Sequence, residues 1–444
     1  MSRAMKMGRS GRIAGFGVAT LAAAACAARA EGADGVPEGP VGPFDEWCRS
    51  ARVELDVGGP LESRDVTVHF GGRFALDFVR WDRRNRNSSG VEFGALRPLF
   101  EVDVGGRSQF RAELDLDDVD SRRGAFDLWV RQEIGQQVAV QLGQVRVAMG
   151  SDYATREENS PLIGHSFTSY LTGRHDLGLR ATVDPHAGLH FEGTATLGSG
   201  FGLEGEGKAD PLLMGRALIE PFGAHGPALL RGLFVGAAMA WQPSYRDELL
   251  LATPYQTPVF TTGDLRAGHA AWGLFEAGWR QGPFRLGLEL VRGVLNDVDL
   301  PGGGHHDVDQ LTAWTAYASV FLGGGKPVWS GGRWIRHARP EGRIDPEQRE
   351  EPGLIVIDSR GGPIELAFRY SNADMDRSLF DFGLTSYDPS TQEVRVADVN
   401  LVFHTSRGSR FSVGAARTIA DHGLSAFGGA NRDTSFLARL EIDF

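Results

Sequence analysis

Arginine is the residue type in this 444-residue chain whose number and spacing could do chemistry. Lys and Arg total 46, all but three of them (Lys6, Lys208, Lys326) Arg, against 57 Asp and Glu, for a net charge of −11. The guanidinium stays charged at physiological pH and presents a planar fork of donors that matches phosphate and carboxylate oxygens. Arg111, Arg131, Arg146, Arg180, Arg285, Arg369, Arg395 and Arg439 are read on the polar sides of alternating segments, together with Glu113, Asp115, Asp127, Glu289, Glu365 and Glu441. A ladder of such cations would attract anions and pass them along. The other reading pairs each Arg with an acid of a neighbouring segment, which would stiffen a wall. Both need these side chains to share one enclosed face.

Signs of bond chemistry are weak. Gly200-Phe201-Gly202-Leu203-Glu204-Gly205 fits G-x-G-x-x-G but lies between two strand-like segments with no helix to follow it, so a dinucleotide role is not expected. Gly323-Gly324-Gly325-Lys326 runs into Pro327 rather than Ser or Thr, and Gly164-His165-Ser166 lacks the second Gly of a nucleophile elbow. Asp115, Asp117, Asp118 and Asp120, and His305, His306, Asp307 and Asp309, bunch together, but they read better as solvated loop residues than as a divalent-cation site. The two Cys, Cys26 and Cys48, are neither a disulfide framework nor a metal site. The expectation is a chain that is not an enzyme and has no cofactor and no metal. Acidic, without a basic tract, it is not expected to bind nucleic acid.

The elements that would position the arginines are strands. Gly is 60 of 444 residues, roughly twice the usual share, which favours turns and strands over a helical bundle. In Phe110-Arg111-Ala112-Glu113-Leu114-Asp115-Leu116-Asp117 every second residue is apolar and each partner charged. The pattern returns in Phe284, Leu286, Leu288 and Leu290, in Ile364, Leu366, Phe368 and Tyr370, and in Phe436, Ala438, Leu440, Ile442 and Phe444. Successive side chains of a strand point to opposite faces, so each segment has one apolar and one polar face. Such segments place sixteen strands near 66–81, 91–105, 107–119, 124–133, 136–147, 174–184, 188–198, 212–221, 230–242, 270–281, 283–293, 308–322, 361–371, 391–404, 409–419 and 433–444.

Residues 1–12 hold Arg3, Lys6, Arg9 and Arg12 and no acid, Ile13 to Ala28 is apolar or small, and Ala28-Arg29-Ala30 offers a cleavage site. Residues 1–30 therefore read as a secretory signal peptide, whose removal takes the net charge from −11 to −16. A lipoprotein signal ending at Cys26 would want Leu where Ala23 stands. Residues 31–62, rich in Gly, Pro and acids, read as an exported linker, leaving 63–444 as the folded part. Beyond the signal no stretch of 18 apolar residues occurs, so no helical membrane span is expected.

Connectors after even-numbered strands are mostly short and those after odd strands often long, the pattern of an outer-membrane barrel with its short side in the periplasm. The stretch 323–360 breaks the rule and reads as a periplasmic excursion. In a soluble sandwich or propeller the apolar face would meet a protein core; in a membrane barrel it meets lipid. The export signal, the even strand count and the terminal Phe444 favour the barrel. Several Trp fall near strand ends, and Trp81 and Trp241 best suit an interfacial girdle.

Several segments are similar to the phosphate-selective porin O and P family. They are Gly71-Gly72-Arg73-Phe74, Val138-Ala139-Val140-Gln141-Leu142-Gly143-Gln144-Val145, and Arg174-His175-Asp176-Leu177-Gly178-Leu179. Further ones are Trp314 to Leu322, Gly362 to Ser371, and the closing Arg439-Leu440-Glu441-Ile442-Asp443-Phe444. The resemblance runs over most of 65–444 and rests on the order of these segments. It implies a sixteen-stranded antiparallel transmembrane barrel, an all-β fold, that associates as a homotrimer in the outer membrane of a Gram-negative-type bacterium. Its third extracellular loop would fold inward, and small hydrophilic solutes, anions such as phosphate above all, would diffuse past cationic side chains. The loop from Ala148 to Gly173 has the length and place of that constriction, with Arg156 and His165 the candidates to face its narrowest point and Glu157 and Glu158 beside them. With three Lys in all, the chain cannot reproduce a lysine cluster of such a channel. A non-selective channel, or a structural barrel with a plugged interior, would share the architecture; a plug would call for a larger insertion than the single long third loop.

Overall fold

The computed structural model describes residues 66–81, 90–116, 125–186, 188–198, 211–223, 226–322, 327–330, 332–335, 363–404 and 409–443, and the backbone of 51–55. The signal peptide, both Cys, all three Lys, the 200–205 motif and Phe444 lie outside them.

Sixteen antiparallel strands form the wall: β1 (Val66–Trp81), β2 (Gly90–Val104), β3 (Ser108–Leu114), β4 (Ala125–Ile134), β5 (Val138–Val147), β6 (Arg174–His186), β7 (Leu189–Thr196) and β8 (Leu212–Ile219). They continue as β9 (Leu233–Gln242), β10 (His269–Gln281), β11 (Phe284–Asp299), β12 (His305–Leu322), β13 (Ile364–Met375), β14 (Glu393–His404), β15 (Ser409–Leu424) and β16 (Ala430–Asp443). Each pairs with its chain neighbour, and β1 pairs with β16 from Arg73↔Asp443 to Trp81↔Ser435, which closes the sheet into a barrel. All sixteen coincide with segments expected from the alternation. Closure pairs the first and last strands of the wall with each other, where an open sheet in a membrane would leave both edges bare.

Within the stretch read as linker, the backbone of Ala51–Leu55 runs antiparallel to β1 from Ala51↔Phe70 to Leu55↔Val66. It covers the part of β1 that β16 does not reach.

The alternation resolves into an apolar outside and a filled inside. On β11, Phe284, Leu286, Leu288 and Leu290 are exposed on the outer face, while Arg285, Glu289, Val291 and Leu295 on the alternate face are buried. On β13, Phe368 is 49% exposed and Arg369 3%. A soluble sandwich would bury its apolar face; here that face points outward all around the wall, as lipid contact requires.

The interior has two characters along β8 to β15. Near the short-turn end the inward residues are polar, including Arg216, Glu276, Arg285, Glu289, Glu365, Arg369 and Arg410. Toward the long-loop end they become Leu212, Trp272, Leu295, Leu311, Met375 and Val396, which join one buried apolar cluster. Loop residues complete that cluster: Phe167 and Leu171 from helix α1 (Phe167–Thr172), and Tyr245, Leu251, Tyr255, Val259, Phe260 and Leu265 from the connector between β9 and β10. Trp81 packs against this cluster rather than standing in an outer girdle, and Trp272 belongs to it, whereas Trp241 is 45% exposed on the outer face.

Candidate pore and its constriction

The strand register sets acids opposite arginines on the inward face. Asp77 on β1 faces Arg439 on β16, and the guanidinium donates to both carboxylate oxygens at 2.7 and 2.6 Å. Arg369 on β13 faces Asp398 on β14 and donates at 3.0 and 3.2 Å. Off the direct register, Arg216 on β8 reaches past β9 to hold both oxygens of Glu276 on β10 at 2.7 and 2.9 Å, and Arg180 on β6, opposite Thr194, reaches diagonally to Glu192 on β7 at 2.6 Å. Directly opposed opposite charges are the favourable cross-strand pair, and two-pronged contacts fix orientation as well as distance.

The remaining arginines singled out in the sequence are distributed as follows. Arg111 lies among Glu101, Glu113 and Asp127 at 3.1, 2.6 and 3.5 Å. Arg285 reaches Glu365 at 3.3 Å, and Arg131, near the short-turn end, sits 3.1 Å from Glu133. Arg146 is buried, donates to the Tyr153 carbonyl at 3.1 Å and stands 5.3 Å from that ring's centroid.

Arg395 departs from its expected place. It pairs in register with Asn372 and Ile419, residues of the outer face, and bonds Glu393 there at 2.6 Å. The inward residues of this part of β14 are Val394 and Val396. Polarity marks the inward face only where the lumen is polar; where apolar loops fill it, that mark inverts.

The segment 148–173 lies inside the barrel, tied to the wall around the circumference. Glu289 on β11 accepts from Ser151 Oγ at 2.9 Å, the Asp152 amide at 2.7 Å and Thr168 Oγ1 at 2.9 Å. Glu276 on β10 accepts from the Ser151 amide at 3.0 Å. On the far side Arg369 donates to the carbonyls of Ile163 and Gly164 at 3.1 and 2.9 Å, and Arg410 on β15 donates to the Glu157 carbonyl at 2.7 Å. Arg73 on β1 and Arg97 on β2 hold the Glu157 carboxylate at 2.7 and 3.2 Å. A segment held by side chains of β1, β2, β10, β11, β13 and β15 at once lies across the lumen. Burial opposes the charge of Glu157, yet Arg97 and Arg73 prevail and hold its carboxyl well below the usual carboxylate range.

Both constriction candidates meet acids within this frame. Arg156 reaches Asp127 at 2.9 Å and Glu113 at 3.7 Å, and His165 stands 3.6 Å from Glu157. Asp152 accepts from the hydroxyls of Ser166 and Ser169 at 2.6 and 2.7 Å, which fixes the turn into α1.

Two other segments share the interior. The β9–β10 connector carries two short strand pairs, Tyr245–Asp247 with Leu265–Ala267 and Leu250–Ala252 with Pro258–Thr261. Its tip presses on Gly164, whose φ is +70° and where a Cβ would lie 2.0 Å from the Pro254 carbonyl oxygen. Glycine is required there for both reasons. The excursion after β12, expected in the periplasm, sends Val328–Ser330 and Arg333–Ile335 as a pair into the short-turn end. Trp334 is 2% exposed, donates its indole N–H to the Tyr317 hydroxyl at 2.9 Å and lies under the Arg285 guanidinium. Trp329 stacks on Phe234 at 3.9 Å.

Arg73, Arg97, Arg216 and Arg410 were not among the arginines singled out in the sequence. Arg216 carried the same signal as the others, a cation between Gly215 and Ala217 on an alternating strand. Among the described residues no group of three or more His, Cys, Asp or Glu could hold a metal ion.

The fold is thus that of a closed sixteen-stranded outer-membrane barrel with segments folded into its lumen. No family model matches the chain, and no curated protein matches it. Its fold is similar to that of OmpT, an outer membrane protein of Vibrio cholerae, in its in-vitro-folded trimer form, at TM-score 0.51 and 9% identity over 85% of this chain and 99% of that one. It is also similar to the outer membrane channel DcaP of Acinetobacter baumannii, at TM-score 0.51 and 10% identity over 88% of this chain and 100% of that one.

Proposed function

We propose that this chain is an outer-membrane porin of the phosphate-selective O and P type, which lets small hydrophilic solutes diffuse down a gradient, with anions such as phosphate the favoured class. The observation that carries this reading is the charged inward wall of β1 to β7 facing Arg156 and its neighbours across segment 148–173. The solute would pass along that side, because the other side of the long-loop end is apolar. Residues 1–30 would direct export, the long loops would face outward, and three copies would associate in the membrane. No bond is made or broken. The channel nature of DcaP and the trimer form of OmpT, similar in fold, support this reading.

Planar bilayers under asymmetric KCl test it. The expected result is a conducting channel whose reversal potential reports anion preference; cation preference removes the anion assignment. A second reading, a plugged structural barrel, is favoured by the apolar filling of the long-loop end. It predicts no conductance in the same measurement.

A further inference from the structure

Two inserted segments enter the barrel from opposite ends, 148–173 between β5 and β6 and the strand pair around Trp334 between β12 and β13, and they meet at Ser151. All three polar groups of this buried residue are bound, and each bond leads back to the strand pair. The Trp334 amide donates to Thr155 Oγ1 at 3.2 Å, and the one proton of that hydroxyl goes to the Ser151 carbonyl at 2.6 Å. The Trp334 indole donates to the Tyr317 hydroxyl at 2.9 Å, which stands 3.3 Å from Ser151 Oγ, and Ser151 Oγ donates to Glu289 at 2.9 Å. The Gly332 carbonyl accepts from Arg216 Nη2 at 2.9 Å, the same guanidinium holds Glu276, and Glu276 accepts from the Ser151 amide at 3.0 Å.

The two ends of the relay through Tyr317 fix its direction. An indole N–H only donates and an ionised carboxylate only accepts. Tyr317 therefore accepts from Trp334 and gives its own proton to Ser151, as Ser151 does to Glu289. Links that all run one way, enclosed by protein, strengthen one another. The wall makes room for the relay: Gly287 on β11 stands where a Cβ would lie 2.0 Å from the Tyr317 ring. Leu162 shares an apolar cluster with Trp334, so the contact extends along the segment. Ser151–Ala154 form a short helix capped by Thr155, and the next residue is Arg156, the cation that reaches Asp127 on β4 at 2.9 Å.

We infer that Trp334 is a positioning residue of the constriction: by ordering Ser151 to Thr155 from the short-turn end, it sets where Arg156 stands against β4. The inference rests on the channel reading for its effect on permeation, while the ordering itself does not.

Hydrogen exchange of the detergent-solubilised full-length protein, read by mass spectrometry on peptides spanning 151–155, tests the ordering. The amides of Ser151, Asp152, Ala154 and Thr155 are bound there by Glu276, Glu289 and the carbonyls of Gly150 and Ser151. Trp334→Phe, which keeps a ring and loses the indole donor, should speed their exchange about fivefold, and Trp334→Ala more than that. Trp329→Phe, on the same strand pair but stacked on Phe234, should leave it unchanged. Trp334→Phe combined with Tyr317→Phe should exchange no faster than Tyr317→Phe alone, because both break one relay. Exchange indifferent to Trp334→Phe and Trp334→Ala overturns the inference, as does an additive double variant. In planar bilayers under asymmetric KCl, Trp334→Ala should move the reversal potential toward that of Arg156→Gln, although its own Arg156 is intact. A reversal potential left at the wild-type value overturns the link to Arg156. A wild type that passes no current yet shows Trp334-dependent exchange keeps the ordering and loses the channel reading.

Discussion

The wall of β1 to β7 and the upper wall of β8 to β15 are built from the same alternating strands, and their interiors solve opposite problems. On the first side, Arg73 and Arg97 hold Glu157 of the inserted segment, Arg111 lies among Glu101, Glu113 and Asp127 next to Arg156, and Arg180 reaches Glu192. On the second, Trp272, Leu295, Leu311, Met375 and Val396 meet Phe167, Leu251, Val259 and Phe260 as a dehydrated core. Charges in a barrel interior must be solvated or paired, whereas an apolar lining must be covered. One barrel thus combines a charged interior with a packed core, and the strand pattern that makes its outside apolar leaves its inside free to differ from side to side.

The largest effect should come from charging the packed side. Phe260 is fully buried and meets Phe380 with ring centroids 6.1 Å apart. Phe260→Asp would bury a carboxylate with no cation at hand, at a cost of several kcal/mol. The β9–β10 connector is expected to leave the lumen and the single-channel conductance to rise several-fold. Unchanged conductance together with an unchanged thermal midpoint would break the comparison, because the packed side would then carry no closure.

Next comes the residue that joins the two regions. Arg369 holds Asp398 on the wall and the carbonyls of Ile163 and Gly164 on the inserted segment. Removing one partner of a buried pair costs about 3–5 kcal/mol, because the other charge stays behind. Arg369→Ala should lower the unfolding midpoint in detergent and make current through the channel noisier as the segment loosens. Arg369→Ala with Asp398→Ala should recover part of the midpoint but not the quiet current. Full recovery of both would mean that the bonds to the segment contribute nothing.

The anchor at Glu157 should respond to pH in one direction. Its carboxyl titrates well below the usual range when folded, so the stabilisation is fully present above the ordinary carboxylate pKa of about 4.3 and is lost as pH falls through the depressed value. Conductance is therefore expected to hold steady from neutral pH down to about pH 5 and to change only in stronger acid. In Glu157→Gln the neutral-pH behaviour should already resemble that of the acidified wild type. A transition near neutral pH in wild type, absent from Glu157→Gln, would show that this carboxyl is not held charged by Arg97 and Arg73.

The same contrast explains what the sequence could and could not reveal. All sixteen strands were legible, because the lipid-facing side imposes a regular apolar beat whatever lies within. Segment 148–173 was legible as a long connector carrying Arg156 and His165. The inward connector 243–268 was not: Leu251, Val259 and Phe260 read as ordinary loop residues until the wall they cover is seen to turn apolar at Leu295 and Leu311. Nor was the pair of strands around Trp334, since nothing local to Val328–Ile335 says that its partners are Tyr317, Arg285 and Thr155. Strand β11 runs on to Asp299 and β12 starts at His305, beyond the expected 293 and 308, through register shifts that break the clean alternation.

The smallest effect separates the two faces of one strand pattern. Arg111 and Arg395 look equivalent in the sequence, each a cation flanked by apolar neighbours. Arg111 stands inside among Glu101, Glu113 and Asp127, and Arg395 outside beside Glu393. Arg111→Gln leaves those three acids short of a cation they share, so the reversal potential in asymmetric KCl should move toward cations. Arg395→Gln should leave reversal potential, conductance and unfolding midpoint where they were, because an exposed pair on the outer rim is screened and lies across the wall from any solute. Should Arg395→Gln shift the reversal potential as far as Arg111→Gln does, charge on either face would matter to permeation equally. The inward side of β1 to β7 could then no longer be the feature that decides which ions pass.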